Sequence, residues 1–291
     1  MALEQLTECY CTVLSKRMLY QGLALYHSIC RFQENFIFYV LCMDDEVWEL
    51  MQGLQYENIR ATPVCILEDS RLLEIKKSRK ENEYCWTLKP VFIEYLLNNC
   101  NDISRITYLD GDLFFFSEPG LLFQNLRKWS VLLSKHDYSP DFKYLECMCG
   151  IYNSGLISFK KNLHAQKCIS WWKEQCLQQC SCSFENSQYG DQKYLEEMPA
   201  LFDQVEIFKT RGVNVGPWNF ARYKNGLLRA SIQKEELPVV CYHFSRFRQL
   251  DGAKTGIDFG PYRPYEEELY NTYLPFIGMA IKDIDISKKG L

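Results

Sequence analysis

Ile106-Thr107-Tyr108-Leu109-Asp110-Gly111-Asp112-Leu113-Phe114-Phe115-Phe116 sets two carboxylates and a glycine between apolar runs. Residues i and i+2 of an extended chain point the same way, so Asp110 and Asp112 present their carboxylates to one point. Gly111 between them lets backbone or a ligand approach closely. Two hard oxygen donors suit Mg²⁺ or Mn²⁺, ions that keep positions for water and phosphate. Asp-Gly is also a strong turn signal, and taken alone the tripeptide favours a hairpin turn. Its place in the chain decides between the two.

Upstream, the sequence alternates between two periods. Residues 10–14 are a short apolar run suited to a strand, and over residues 18–32 Leu19, Leu23, Tyr26 and Ile29 recur at helical spacing. Residues 36–42 are uninterrupted Phe, Ile, Tyr, Val, Leu and Cys, the pattern of a parallel strand covered on both faces. Asp44 and Asp45 open a second helix with Val47, Leu50, Met51 and Leu54 on one stripe. A third strand follows at 59–64, a helix at 88–97, and a strand at 105–110 that runs into the carboxylate pair. Strand, helix, strand, helix, strand predicts an α/β sheet with right-handed crossovers. In such sheets ligands bind at the carboxyl ends of the strands, where Asp110 and Asp112 fall.

Residues 74–83, with Lys76, Lys77, Arg79 and Lys80 among acids, break the rhythm. They read as a solvated, mobile loop or helix face, the sharper alternative being a cationic flap over a polyanion. The second half predicts strands at 131–134, 155–159 and 239–244, a helix from Leu163 to about Cys180, and a final helix carrying Tyr265, Leu269, Tyr273 and Phe276. No repeat or Gly/Ser linker divides the chain, so residues 1–250 read as one domain and 251–291 as a C-terminal helical extension packed on it.

Composition narrows the class. With 47% hydrophobic and 24% charged residues in 291, the chain is neither disordered nor a low-complexity scaffold. A formal charge of -4 gives no electrostatic case for wrapping nucleic acid or coating an anionic membrane. No apolar stretch has the length of a transmembrane segment, and residues 1–7 lack a signal core, which predicts a soluble, cytoplasmic protein. The fourteen cysteines mostly sit in apolar runs and read as reduced core residues. Cys147/Cys149 and Cys176/Cys180/Cys182 cluster without a CxxC pair, and zinc is the lesser reading there.

Three further stretches carry chemistry. Tyr152-Asn153-Ser154-Gly155 places an amide, a hydroxyl and a glycine just before a strand. Gly190-Asp191-Gln192 puts an acid and an amide at a helix start, where backbone N–H groups are free. His243, followed by Arg246 and Arg248, ends a strand. A histidine in an apolar run is more often a satisfied core residue than a ligand, but the two arginines fit a metal-diphosphate role.

The collinear set of a strand-ending DGD, NSG, DQ and a late strand-ending His resembles glycosyltransferases of the GT-A fold. It is most similar to family eight, the glycogenin-like and lipopolysaccharide galactosyltransferase group, over residues 10 to about 248. The resemblance implies a Rossmann-like nucleotide-diphospho-sugar transferase: an α/β single domain with a mixed central sheet and a C-terminal helical extension. It implies that Asp110, Asp112 and His243 bind Mn²⁺ or Mg²⁺, Asp112 the more directly, with Asp110 also near the ribose. Thr12 would contact the uracil and ribose of a UDP-sugar, Lys89 the nucleotide or sugar, and Asn153 the donor sugar. Asp191 and Gln192 would flank the anomeric carbon. Where the family ends in His-x-x-Gly-x-x-Lys-Pro-Trp this chain has His243-Phe244-Ser245-Arg246, so Arg246 or Arg248 would replace the lysine on the diphosphate.

The implied activity is metal-dependent transfer of a sugar to a glycan or glycan precursor, including lipid- or protein-linked glycans. With retention of configuration Asp191 orients the donor; with inversion it is the general base. A sugar nucleotidyltransferase is the second reading, disfavoured because no glycine-rich phosphate loop follows the first strand. The third is a catalytically inactive binding or scaffold protein of the same fold. The loop 212–219, with Asn214, Trp218 and Asn219, has the mixture that holds a sugar ring, Trp218 serving equally as a core anchor.

Overall fold

A computed structural model describes residues 7–183, 188–223, 239–245, 247–249, 255–257 and 267–290. The alternating first half folds as its periods require. Four strands, β1 (Glu8–Leu14), β2 (Phe36–Cys42), β3 (Ile59–Pro63) and β4 (Arg105–Leu109), pair in parallel in the order β3-β2-β1-β4. Helices α1 (Leu19–Cys30), α2 (Asp45–Gly53), α3 (Ser70–Ser78) and α4 (Glu81–Asn99) make the connections. Asp44 caps α2 by accepting from the Val47 N–H at 2.9 Å, and Asp69 does the same for α3 through Leu72 at 2.8 Å.

The chain then turns at Asp110–Leu113, where the Leu113 N–H donates to Asp110 O. The Asp-Gly turn signal is therefore real, but it makes no β4–β5 hairpin. β5 (Leu113–Phe115) pairs instead with the distant β9 (Cys241–His243), antiparallel. The main sheet is completed by β6 (Val131–Lys135), β7 (Tyr152–Lys160) and β8 (Val205–Ile207), with the short helices α5 (Glu146–Cys149) and α7 (Met198–Leu201) in the connections between them. β7 runs antiparallel to both β4 and β6, and β8 parallels β6, giving the seven-stranded mixed order β3-β2-β1-β4-β7-β6-β8.

Each sheet face has its own core. On one side Cys11, Tyr108 and Ile157 pack under α4 and α6 (Leu163–Gln178), around the fully buried Trp172. On the other, Tyr10, Phe38, Leu109 and Leu132 pack under α1 and α2. A third cluster joins β5 and β9 to the C-terminal helix α8 (Glu267–Gly290): Phe114, Tyr242, Phe244, Tyr270 and Tyr273, with Tyr273 stacked on Phe244 at 3.9 Å. α8 is further tied to α1 by His27 Nε2 against Asp283 Oδ2 at 2.6 Å, and to α2 by Ser287 Oγ donating to Leu50 O. The tyrosines of the last helix that are described thus pack; Tyr262 and Tyr265 lie outside the described residues. Among those residues no helix is long and apolar enough to cross a membrane.

Of the readings for residues 74–83 the solvated helix face holds, not the loop or the flap: they are the last turn of α3 and the first of α4, mostly exposed. Arg79 turns inward there and donates to the C-terminal carbonyls of α6, Cys176 O at 2.7 Å and Leu177 O at 3.0 Å. Two further expectations change. α4 starts at Glu81 rather than 88, because Glu83 accepts from the N–H groups of Lys80 and Cys182 at the helix entry. α6 stops at Gln178, so Cys176 and Cys180 do not share a helix. All fourteen cysteines are free thiols.

Candidate functional site

The topology brings four chain ends to one edge. β4 ends at Asp110, and because β7 runs the other way, Asn153 and Ser154 at its start lie at the same edge; the Asp110 N–H donates to Gly155 O at 2.8 Å. The end of β6 adds His136, and β9 delivers His243 through its pairing with Leu113. Together with Trp86, Lys89, Tyr189, Asp191 and Gln192 these residues line a cleft of about 390 Å³.

Asp110, Asp112 and His243 each offer a ligand atom, and these atoms lie within 4.8 Å of one another. His243 Nε2 is 2.8 Å from Asp112 Oδ1 and 3.7 Å from Asp110 Oδ2. The other ring nitrogen, Nδ1–H, donates to Asn214 Oδ1 at 3.2 Å, which turns Nε2 toward the carboxylates. Burial works against a charged ring here, but the Asp112 carboxylate outweighs it and holds the pKa above the ordinary histidine value. Gly155 lies directly behind: a Cβ there would stand 2.6 Å from His243 Cε1 and 2.7 Å from Asp110 Oδ2. Two carboxylates and an imidazole packed over a glycine form a donor set that fits a divalent cation.

Beside this triad Lys89 is buried at 2% exposure, with Nζ 2.9 Å from Asp110 Oδ1, 3.1 Å from Ser154 Oγ and 3.4 Å from Asp191 Oδ2. Burial disfavours its charge, yet the Asp110 and Asp191 carboxylates prevail and keep it protonated well above the usual lysine range. Asp191 is buried too; desolvation raises its pKa and Lys89 pulls it back only in part. Its Oδ2 has the ammonium as a charge partner without a well-directed hydrogen bond. Trp172 Nε1 donates to Asp191 O at 2.8 Å and pins the backbone. Gly190 precedes it at φ +57°, with Trp86 packed on its outer side, a place a side chain would fill only with strain.

Behind the triad runs a polar network without a charged member. Asn153 Oδ1 accepts from the Gly155 N–H at 2.9 Å and from Asn214 Nδ2 at 3.0 Å, so its Nδ2 is the donor to His136 Nε2 at 3.1 Å. His136 Nδ1–H in turn donates to Gly150 O at 3.0 Å. The ring is neutral, its pKa pushed down to about 3 by burial. Asn214 Nδ2 also donates to Ser134 Oγ at 3.2 Å, and Asn219 Nδ2 donates to His136 O at 2.7 Å.

The structure thus brings together Asp110, Asp112, His243, Lys89, Asn153, Asp191 and Gln192. Thr12 is not in the cleft lining: its hydroxyl is sealed in β1, without a hydrogen-bond partner among the described residues. Arg246 lies outside the described residues; Arg248 falls in the strand Phe247–Gln249, its side chain outside them. The loop 212–219 needs correcting. Asn214 and Asn219 are fully buried and spend their amides on protein groups, so they build the wall rather than grip a sugar. Trp218 meets His243 edge-on at 5.3 Å and lines the cleft. Sequence reasoning missed His136, whose only signal was a polar residue at the mouth of an apolar strand, and it noted the Ser154 hydroxyl without giving it a role.

No protein-family model matches the sequence. The chain is 37% identical over 297 residues to the uncharacterized protein YfnF of Bacillus subtilis (strain 168), covering 96% of each. It is 30% identical over 272 residues to YfnD of the same strain, covering 92% of this chain and 87% of that one. Among solved structures it is similar to the galactosyltransferase LgtC in complex with donor and acceptor sugar analogues. That likeness has a TM-score of 0.54 at 14% identity over 93% of this chain and 95% of that one. At such identity the likeness is one of fold, and the fold is the GT-A architecture with its mixed sheet and C-terminal helix. By its near full-length identity, the chain belongs to the family of YfnF and YfnD, built on the GT-A glycosyltransferase fold.

Proposed function

We propose that the protein is a glycosyltransferase of the family-eight type that uses Mn²⁺ or Mg²⁺ and moves a sugar from a UDP-sugar to a glycan or glycan precursor, with retention of configuration. The observation that carries this reading is the convergence of Asp110, Asp112 and His243 beside the buried Lys89–Asp191 pair. Asp110, Asp112 and His243 Nε2 hold the cation, the imidazole nitrogen favouring Mn²⁺ over Mg²⁺. When bound, the cation stabilises negative charge on the leaving diphosphate.

The chain's own groups do the rest. As the sugar leaves, positive charge grows at its anomeric carbon, and Asp191 is the fixed carboxylate that faces it. Held by Lys89 and by Trp172, Asp191 is positioned as a stationary charge, which suits orientation of the donor rather than collection of the acceptor's proton. Gln192, half-buried on the cleft wall, offers an amide to the same sugar. Asn153 has one amide hydrogen left for a donor hydroxyl, the other being committed to His136.

The test is a thermal-shift panel of UDP, GDP and CDP, each with Mn²⁺ and with EDTA. At about a hundredfold over its dissociation constant a ligand adds roughly 2.7 kcal/mol of stability. UDP is expected to stabilise only with metal, and Asp112→Asn to abolish that shift while melting as a folded protein. No nucleotide shift in either condition would overturn the proposal.

A further inference from the structure

A second groove lies at the same sheet edge, on the far side of the segment that ends β6. Within residues 134–137 His136 enters the catalytic cleft, while Ser134, Lys135 and Asp137 line a separate cleft of about 540 Å³. Arg211, Lys209 and Arg222 line it as well. It adjoins another of about 300 Å³ that shares Lys209 and Thr210 and adds Lys128. Five cations therefore follow one continuous path, and among the residues lining it Asp137 is the one acid.

The cations differ in how they are held. Arg222 is clamped by the Asp137 carboxylate, and Lys209 Nζ sits 3.0 Å from Glu206. Lys135 and Arg211 are exposed and have no anionic partner among the described residues; the Arg211 guanidinium lies over the Tyr223 ring at 5.8 Å. Two anchored and two unneutralised cations in a cleft this size recognise several anionic groups in series, because one anion would leave most of them unsatisfied. The chain's net charge of -4 conceals the patch.

We propose that this groove binds an extended polyanionic chain bearing phosphate or carboxylate groups, and that this chain is the charged part of the acceptor. The shared wall at Ser134–Asp137 leads such a chain from the groove to the catalytic cleft. Naming it the acceptor rests on the transferase reading; the groove's affinity for a polyanion does not.

The experiment measures binding of fluorescently labelled inorganic polyphosphate to the full chain in EDTA, which silences a metal-borne diphosphate site. It is repeated with Lys135→Glu/Arg211→Glu and with phosphatidylglycerol vesicles. The expected result is binding at about 0.1 M salt that weakens steeply as salt rises. The double variant should bind roughly tenfold or more weakly, with unchanged melting and an unchanged UDP–Mn²⁺ shift. Equal binding by the variant, no binding at that salt, or binding to vesicles but not to polyphosphate would overturn the proposal. Loss of the UDP–Mn²⁺ shift in the parent chain would instead overturn the transferase reading and leave the groove standing.

Discussion

Gly155→Ala reads the metal site through a single methyl group. The added Cβ would stand 2.6 Å from His243 Cε1, 2.7 Å from Asp110 Oδ2 and 2.8 Å from Asn153 Oδ1. Gly155 is not demanded by backbone conformation, so the effect is steric alone. Restoring ordinary contact moves the imidazole and the carboxylate by about 0.7–0.8 Å. Metal–ligand distances tolerate about 0.2 Å, so both ligands leave the site's geometry at once. Mn²⁺ affinity should fall about 10–100-fold, and overpacking should cost about 1–3 kcal/mol of stability. Titration calorimetry with Mn²⁺ measures the first and urea unfolding the second. Gly278→Ala is the control: nothing lies within 4 Å of its Cβ, and it sits inside α8. It should gain about 0.5–1 kcal/mol and leave Mn²⁺ affinity alone. A folded Gly155→Ala protein that binds Mn²⁺ as the parent does would refute the placement of the cation over Gly155.

Two other perturbations follow from the charges. Lys89→Met leaves the buried Asp191 and the half-buried Asp110 without their ammonium, and urea unfolding should show a loss of about 3–5 kcal/mol; a loss near zero would mean the Lys89–Asp191 pair is not sealed from water. His136 is neutral in the folded protein down to about pH 3, while the unfolded chain takes up a proton below about pH 6.5. Its contribution to stability is therefore complete above pH 6.5 and is lost as pH falls, by about 2 kcal/mol at pH 5. His136→Gln should flatten the unfolding free energy between pH 7 and pH 5 by that amount, and an unchanged slope would sink the assignment.

The parallel half of the sheet was legible because β1, β2 and β4 are buried on both faces and α1 and α2 carry one stripe, so periodicity and burial agree. Residues 36–42 are the clearest case. β8 was not legible, since Val205-Glu206-Ile207 is too short to show a period and its pairing with β6 is wholly tertiary. The first turn of α4 was hidden for a related reason: Glu83, polar and unremarkable in sequence, is held by the Cys182 N–H from across the fold. In the site, Asp110 and Asp112 are adjacent in the chain and could be read together. His243 carried only the local signal of Arg246 and Arg248, and the resemblance was needed to join it to the aspartates, because its neighbour Leu113 is 130 positions away. Asn214 and Asn219 show the opposite failure. Amides in a glycine-punctuated loop look solvent-facing, and only the folded structure reveals that the loop turns them inward.

The charges themselves argue for a divalent cation. Asp110, Asp112 and Asp191 bring three negative charges to a region where Lys89 supplies one positive charge, leaving two in excess beside a neutral imidazole. Carboxylates this close and this shielded from water repel strongly unless something positive stands between them. A proton on His243 offsets half of the excess, which is the physical cause of that ring's raised pKa. A divalent cation on Nε2 would displace that proton and offset the whole. Asn214 is what keeps both options at the same atom: by accepting from Nδ1–H it leaves Nε2 to face the carboxylates in either state. Asn214→Leu should therefore weaken Mn²⁺ binding without removing a ligand, whereas Asn214→Asp, which keeps the acceptor, should retain more of it. Equal affinity in both variants would show that the imidazole is oriented by packing against Trp218 rather than by this hydrogen bond.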